Sequence, residues 1–94
     1  MKNSEKKILV VEDEAHLAKG LQFNLEREGY LVTLVDNGQS AVEILSKEGF
    51  DLMILDIMLP KLTGLEVARR IRNTDMRFPI LMLSAKSADE DREL

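Results

Sequence analysis

The 94-residue chain predicts a single α/β domain, a parallel sheet covered by helices on both faces. Three observations carry that expectation. Near-continuous apolar runs alternate with helical patterns along the whole chain; the connections are short, with no linker or repeat; and glycines or capping residues stand at the helix ends.

Ile8-Leu9-Val10-Val11 is a β-branched-rich run and reads as a buried strand. Leu17, Leu21 and Leu25 recur at i, i+4 and i+8, one stripe of a helix over about residues 14–28. Gly29 stands where the end of that helix favours a left-handed residue. Gly20, inside the helix, costs up to about 1 kcal/mol relative to alanine, which close packing would explain. Phe23 falls off the stripe, and His16 reads as a solvated helix residue. Leu31–Val35 is the second strand. Asn37-Gly38 marks the break before a helix carrying Ala41, Ile44 and Leu45 that stops near Gly49. Leu52–Leu55 is the third strand, and Gly64, Val67, Ala68 and Ile71 follow the i, i+3, i+4, i+7 pattern of a third helix. Phe78–Leu83 is the fourth strand, with Pro79 tolerable at its start. Ser87-Ala88-Asp89-Glu90 matches a capping box, so a fourth helix is expected to begin there. The order is β-α-β-α-β-α-β-α, and right-handed crossovers leave few topologies for it.

Composition narrows the function classes. The formal charge is −4 and no Lys/Arg run stands out, which argues against a phosphate-backbone reader and hence against nucleic-acid binding by this segment. No apolar run approaches the roughly 20 residues needed to span a bilayer. With no cysteine there is neither a disulfide framework nor a thiolate metal site, and a reducing cytoplasm is the default location.

In open α/β sheets ligands bind at the carboxyl ends of the strands. Here the first strand ends in Val11-Glu12-Asp13-Glu14, the third in Leu55-Asp56 and the fourth in Leu83-Ser84-Ala85. If the first and third strands are neighbours, Glu12, Asp13 and Asp56 converge, with Ser84 at the rim. Two unit charges about 4 Å apart repel by about 4 kcal/mol at an effective dielectric near 20. A divalent cation resolves that conflict, and an all-oxygen set suits Mg²⁺, with Mn²⁺ or Ca²⁺ as substitutes, better than Zn²⁺. The residues thus describe an acidic Mg²⁺ pocket that receives a phosphoryl group, one carboxylate being a candidate nucleophile. The plainer reading is that Glu12-Asp13-Glu14 are first-turn acids suited to a helix dipole, that Asp56 caps a turn and that Ser84 is a turn residue.

The segments "ILVVEDE", "EREGYLV", "NGQSAVEIL", "DLMILDIMLPKLTGLEVARRIR" and "PILMLSAK" together resemble a response-regulator receiver domain, the phosphoacceptor module of two-component signalling. The resemblance implies a flavodoxin-like, doubly wound parallel sheet with the order 2-1-3-4 over the four strands present. It implies that Asp56 accepts a phosphoryl group from the phosphohistidine of a sensor histidine kinase or phosphotransfer protein. Glu12 and Asp13 match the acidic pair that holds Mg²⁺, Asp13 and Asp56 directly and Glu12 through water. The backbone carbonyl of Met58 matches the remaining protein ligand, Ser84 the switch hydroxyl, and Leu59-Pro60 and Gly64 the loop into the third helix. Such a domain is a phosphoacceptor rather than an enzyme, assisting its own phosphorylation and dephosphorylation at most.

A receiver also has a fifth strand ending in a lysine, then a fifth helix. The sequence reaches Leu94 before either, and Lys86, two residues after Ser84, does not match that lysine. Residues 1–94 are therefore expected to form one receiver domain, truncated at its C-terminal side. An open fourth-strand edge at Ile80-Leu81-Met82-Leu83, or an uncovered sheet face, would favour self-association. The alternative function is a phosphorylation-independent interaction or dimerisation module. A flavin carrier would need a hydroxyl- and glycine-rich loop where Glu12-Asp13-Glu14 stand. An aspartate-nucleophile phosphatase would want an acid at Met58, and no P-loop motif occurs.

Overall fold

A computed structural model describes residues 6–57, 59, 63–74 and 78–83. Seven elements follow in order: β1 (Lys7–Val11), α1 (Ala15–Arg27), β2 (Leu31–Val35), α2 (Gly38–Leu45), β3 (Leu52–Asp56), α3 (Gly64–Thr74) and β4 (Ile80–Leu83). The strands form one sheet in the order β2-β1-β3-β4, every pair parallel. This is the doubly wound, flavodoxin-like arrangement that the sequence predicts. The expected fourth helix from Ser87 lies outside the described residues, as do Met58, Pro60, Ser84 and Lys86.

Side chains along a strand alternate between the two faces of the sheet. Leu9, Val11, Met53 and Leu55 point to one face, where they join Ala41 of α2, Leu59, and Val67 and Ile71 of α3. Ile8, Val10 and Ile54 point to the other, against Leu21 and Leu25 of α1 and Tyr30. Both faces of the central strands are dry, which is why their sequences are apolar without alternation.

The helix ends are chemically specified. Glu14 caps α1, its carboxylate accepting from the Leu17 N–H at 3.0 Å. The helix closes in a Schellman motif, with the Tyr30 N–H donating to the Leu25 carbonyl and the Gly29 N–H to the Glu26 carbonyl. Gly29 sits at φ 98°, the left-handed conformation that this motif requires. Asn37 caps α2 through its Oδ1, which accepts from the Ser40 N–H at 2.8 Å.

Four local expectations are revised. Leu17 is 40% exposed, and the inward stripe of α1 runs instead through buried Ala18 and half-buried Leu21 and Leu25. The small Ala18 faces inward at the N-terminal end of the helix and Leu17 turns to solvent. Gly20 has no packing role, because a Cβ there would meet nothing within 4 Å. α2 ends at Leu45, four residues before Gly49, where the Ser46 hydroxyl donates to the Glu43 carbonyl. β4 begins at Ile80 because Pro79 has no N–H for the ladder. The Phe78 carbonyl accepts instead from the Arg72 guanidinium.

Candidate functional site

The sheet register brings two acids to one level. Val11 of β1 pairs with Leu55 of β3, so the next residues, Glu12 and Asp56, stand side by side at the carboxyl edge. The alternation that turns Val10 and Ile54 toward α1 continues to Glu12 and Asp56. Glu12 is tied to β2 by its N–H, which donates to the Val35 carbonyl at 3.0 Å. Asp13 follows in the turn before α1. One carboxylate oxygen from each of Glu12, Asp13 and Asp56 lies within 4.8 Å of the others. Glu12 is buried, Asp56 half-buried and Asp13 exposed, so the group runs from the core to solvent.

Glu12 is the only charged residue among those buried in the described chain. Its Oε2 accepts the Glu14 N–H at 3.0 Å. Burial pushes the Glu12 carboxyl above its usual range, and the Glu14 N–H opposes that push. The Asp56 charge, a hydrogen bond with the Asp56 carboxyl and the Asp13 charge all raise it further. A concentration of negative charge against an apolar sheet edge is destabilising unless a proton or a cation neutralises it. The donors are hard carboxylate oxygens with no histidine or thiolate among them, which fits Mg²⁺, Mn²⁺ or Ca²⁺. His16 is exposed on α1 and takes no part in the cluster. A cleft of about 470 Å³, bounded by Glu12, Asp13, Lys19, Asp36 and Ser40, opens beside the acids.

Of the residues singled out in the sequence, Glu12, Asp13 and Asp56 come together, while Met58 and Ser84 lie outside the described residues. Glu14, one of the run of three acids, is separate from the cluster and serves as the cap of α1. One residue has more to do than its sequence suggests. Gly64 donates its N–H to the Ile57 carbonyl at 3.1 Å, directly behind Asp56. The only local signal for it is a glycine at the start of an otherwise ordinary helical pattern.

Four parallel strands in this order, with an acidic cluster at the carboxyl edge of the central pair, define a doubly wound α/β domain with a hard-cation type of site. The model of the response regulator receiver domain matches residues 8–93, and the chain belongs to that family, the receiver domains of two-component signal transduction. It is 48% identical over 89 residues to the alkaline phosphatase synthesis transcriptional regulatory protein PhoP of Bacillus subtilis, covering 95% of this chain and 37% of that one. The chain thus spans less than two-fifths of that relative's length. Among solved structures, it resembles the response regulator TrrA of Thermotoga maritima in complex with Mg²⁺-BeF. There the TM-score is 0.84 at 40% identity, over 88% of this chain and 72% of that one. TrrA in complex with the histidine kinase ThkA gives a TM-score of 0.81 at 40% identity, covering 85% and 69%.

Proposed function

We propose that the domain is a phosphoacceptor, taking a phosphoryl group onto Asp56 from a sensor histidine kinase or phosphotransfer protein. The observation that carries this reading is the convergence of the Glu12, Asp13 and Asp56 carboxylates within 4.8 Å at the edge of the sheet where ligands bind. The Mg²⁺ and the kinase named with TrrA support it by analogy.

An Asp56 carboxylate oxygen attacks the phosphorus of a phosphohistidine. The new P–O bond forms as the P–N bond breaks, and the leaving imidazole takes up a proton. Asp13, Asp56, the Met58 carbonyl and, through water, Glu12 would hold the cation. When bound, it supplies positive charge to the transferring phosphoryl oxygens, the main requirement of such transfers. The Ser84 hydroxyl turns toward the phosphoryl oxygens and reports the modified state. Residues 1–94 act as one receiver domain in the cytoplasm. No helix among the described residues is long and apolar enough to cross a membrane.

The test is labelling of the chain with a small phosphodonor, with and without Mg²⁺, against Asp56→Asn. Mg²⁺-dependent label on the wild type and none on the variant is expected; absence of that label overturns the reading. A second reading, a phosphorylation-independent module that pairs with a partner or with itself, is favoured by Leu81 of β4, which is 51% exposed. It would be supported by concentration-dependent association, measured by sedimentation, that Asp56→Asn leaves intact.

A further inference from the structure

The backbone that carries Asp56 is held from two sides. On one side β4 is paired with β3, and the Ile57 N–H donates to the Leu83 carbonyl at 2.9 Å. On the other side stands the N-terminus of α3. Thr63 precedes the helix, its Oγ1 accepting from the Glu66 N–H at 3.2 Å and its carbonyl from the Val67 N–H at 3.0 Å. That leaves the Gly64 N–H free to bond the Ile57 carbonyl. Gly64 is buried, and the space where its Cβ would stand is filled by the strand end. A methyl group there would overlap the Asp56 carbonyl oxygen, lie 2.6 Å from the Ile57 Cα and 3.0 Å from the Asp56 carbonyl carbon. These are backbone atoms, which cannot swing aside as a flexible side chain would.

Gly64 therefore touches two successive peptide units. It packs on the one that joins Asp56 to Ile57 and hydrogen-bonds the one that follows Ile57. The Asp56 side chain stems from the Cα immediately before the first of these. We propose that Gly64 is a positioning residue for the acidic site: a helix start without a side chain clamps the Asp56–Ile57 backbone, and the clamp keeps the Asp56 carboxylate in register with Glu12 and Asp13. A displacement on the order of 1 Å is enough to misplace a reacting or ligating group. The inference rests on the phosphoacceptor reading of Asp56, and Gly64 acts on it only through the backbone.

The experiment compares the full chain with Gly64→Ala, Thr63→Ala and Ile71→Ala. Ile71 lies on the same helix, seven residues further on, and is buried in the core, so its truncation lowers stability without touching the clamp. Three readouts are taken together: Mg²⁺ affinity by titration, Mg²⁺-dependent labelling with a small phosphodonor, and amide hydrogen exchange at residue 64, whose N–H makes the clamp's hydrogen bond, and at Ile57. Gly64→Ala is expected to weaken Mg²⁺ at least tenfold, to slow labelling correspondingly and to speed Ile57 exchange at least tenfold. Ile71→Ala, with an equal or larger fall in unfolding midpoint, is expected to hold Mg²⁺ within twofold of the wild type. If Gly64→Ala does not fold, Thr63→Ala reads the same clamp: it loosens the helix cap without adding atoms and should speed Ile57 exchange severalfold. Mg²⁺ affinity within twofold of wild type in Gly64→Ala, or an equal loss in Ile71→Ala, overturns the inference. A wild type that takes no Mg²⁺-dependent label removes the phosphoacceptor reading instead; exchange of the residue-64 amide, which donates to the Ile57 carbonyl, then still decides whether the start of α3 holds this backbone.

Discussion

Replacing Asp56 by asparagine should stabilise the metal-free protein while abolishing its response to Mg²⁺. The magnitude follows from the cluster. With carboxylate oxygens no more than 4.8 Å apart, each pair of unit charges repels by at least about 3.5 kcal/mol at an effective dielectric of about 20 and by at least about 0.9 kcal/mol in bulk water. Asp13 is exposed, so its repulsion with Asp56 sits at the water end; the Asp56–Glu12 pair reaches into the sheet edge and lies between the limits. Removing the Asp56 charge is therefore expected to raise stability by about 1–3 kcal/mol, since the extended chain relieves most of the same repulsion. The assay is urea unfolding in chelator and again in excess Mg²⁺. At a hundredfold excess over its dissociation constant, the cation adds about 2.7 kcal/mol to the wild type and much less to the variant. An Asp56→Asn protein no more stable than wild type in chelator, or one that gains as much from Mg²⁺, would refute the electrostatic reasoning.

Two further effects are measurable on the same chain. The Glu12 carboxyl titrates above its ordinary value of 4.5 in the folded protein, so the folded state holds its proton to higher pH than the unfolded state does. Its contribution to stability is thus fully present below about 4.5 and is lost as pH rises through the raised folded value. Unfolding midpoints followed from pH 4 to neutrality in chelator should fall more steeply for wild type than for Glu12→Gln. Gly29→Ala places a Cβ at φ 98° and should cost about 1–2 kcal/mol, seen as a fall in thermal midpoint with Mg²⁺ affinity unchanged.

The strands and the acids at their ends were legible because both are local. An apolar run that halts on Glu12-Asp13, and another that halts on Asp56, mark where dry sheet meets a polar edge. That these edges adjoin was not local, since it depends on the pairing of Val11 with Leu55. The order of strands came from the resemblance rather than from pattern. The inward face of α1 differs from the expectation at Leu17 because hydrophobicity alone does not tell that Ala18, the smaller residue, is the buried one. Gly20 and Gly64 look alike in sequence, yet one borders open space and the other the Asp56 backbone. Only the placement of the start of α3 against the strand end separates them.

The two layers flanking the sheet differ in depth. On the α2–α3 side the core cluster holds eight buried residues among those described, and on the α1 side three, with Ala18 the only buried residue of α1 itself. Cooperative units open in order of the apolar contact that holds them, so α1 should detach at a lower free energy than the sheet and the α2–α3 layer. Its cap, Glu14, is also the residue whose N–H bonds Glu12. Whatever neutralises Glu12 and Asp13 therefore acts at the start of α1, and occupancy of the acidic edge becomes a brake on the opening of that helix.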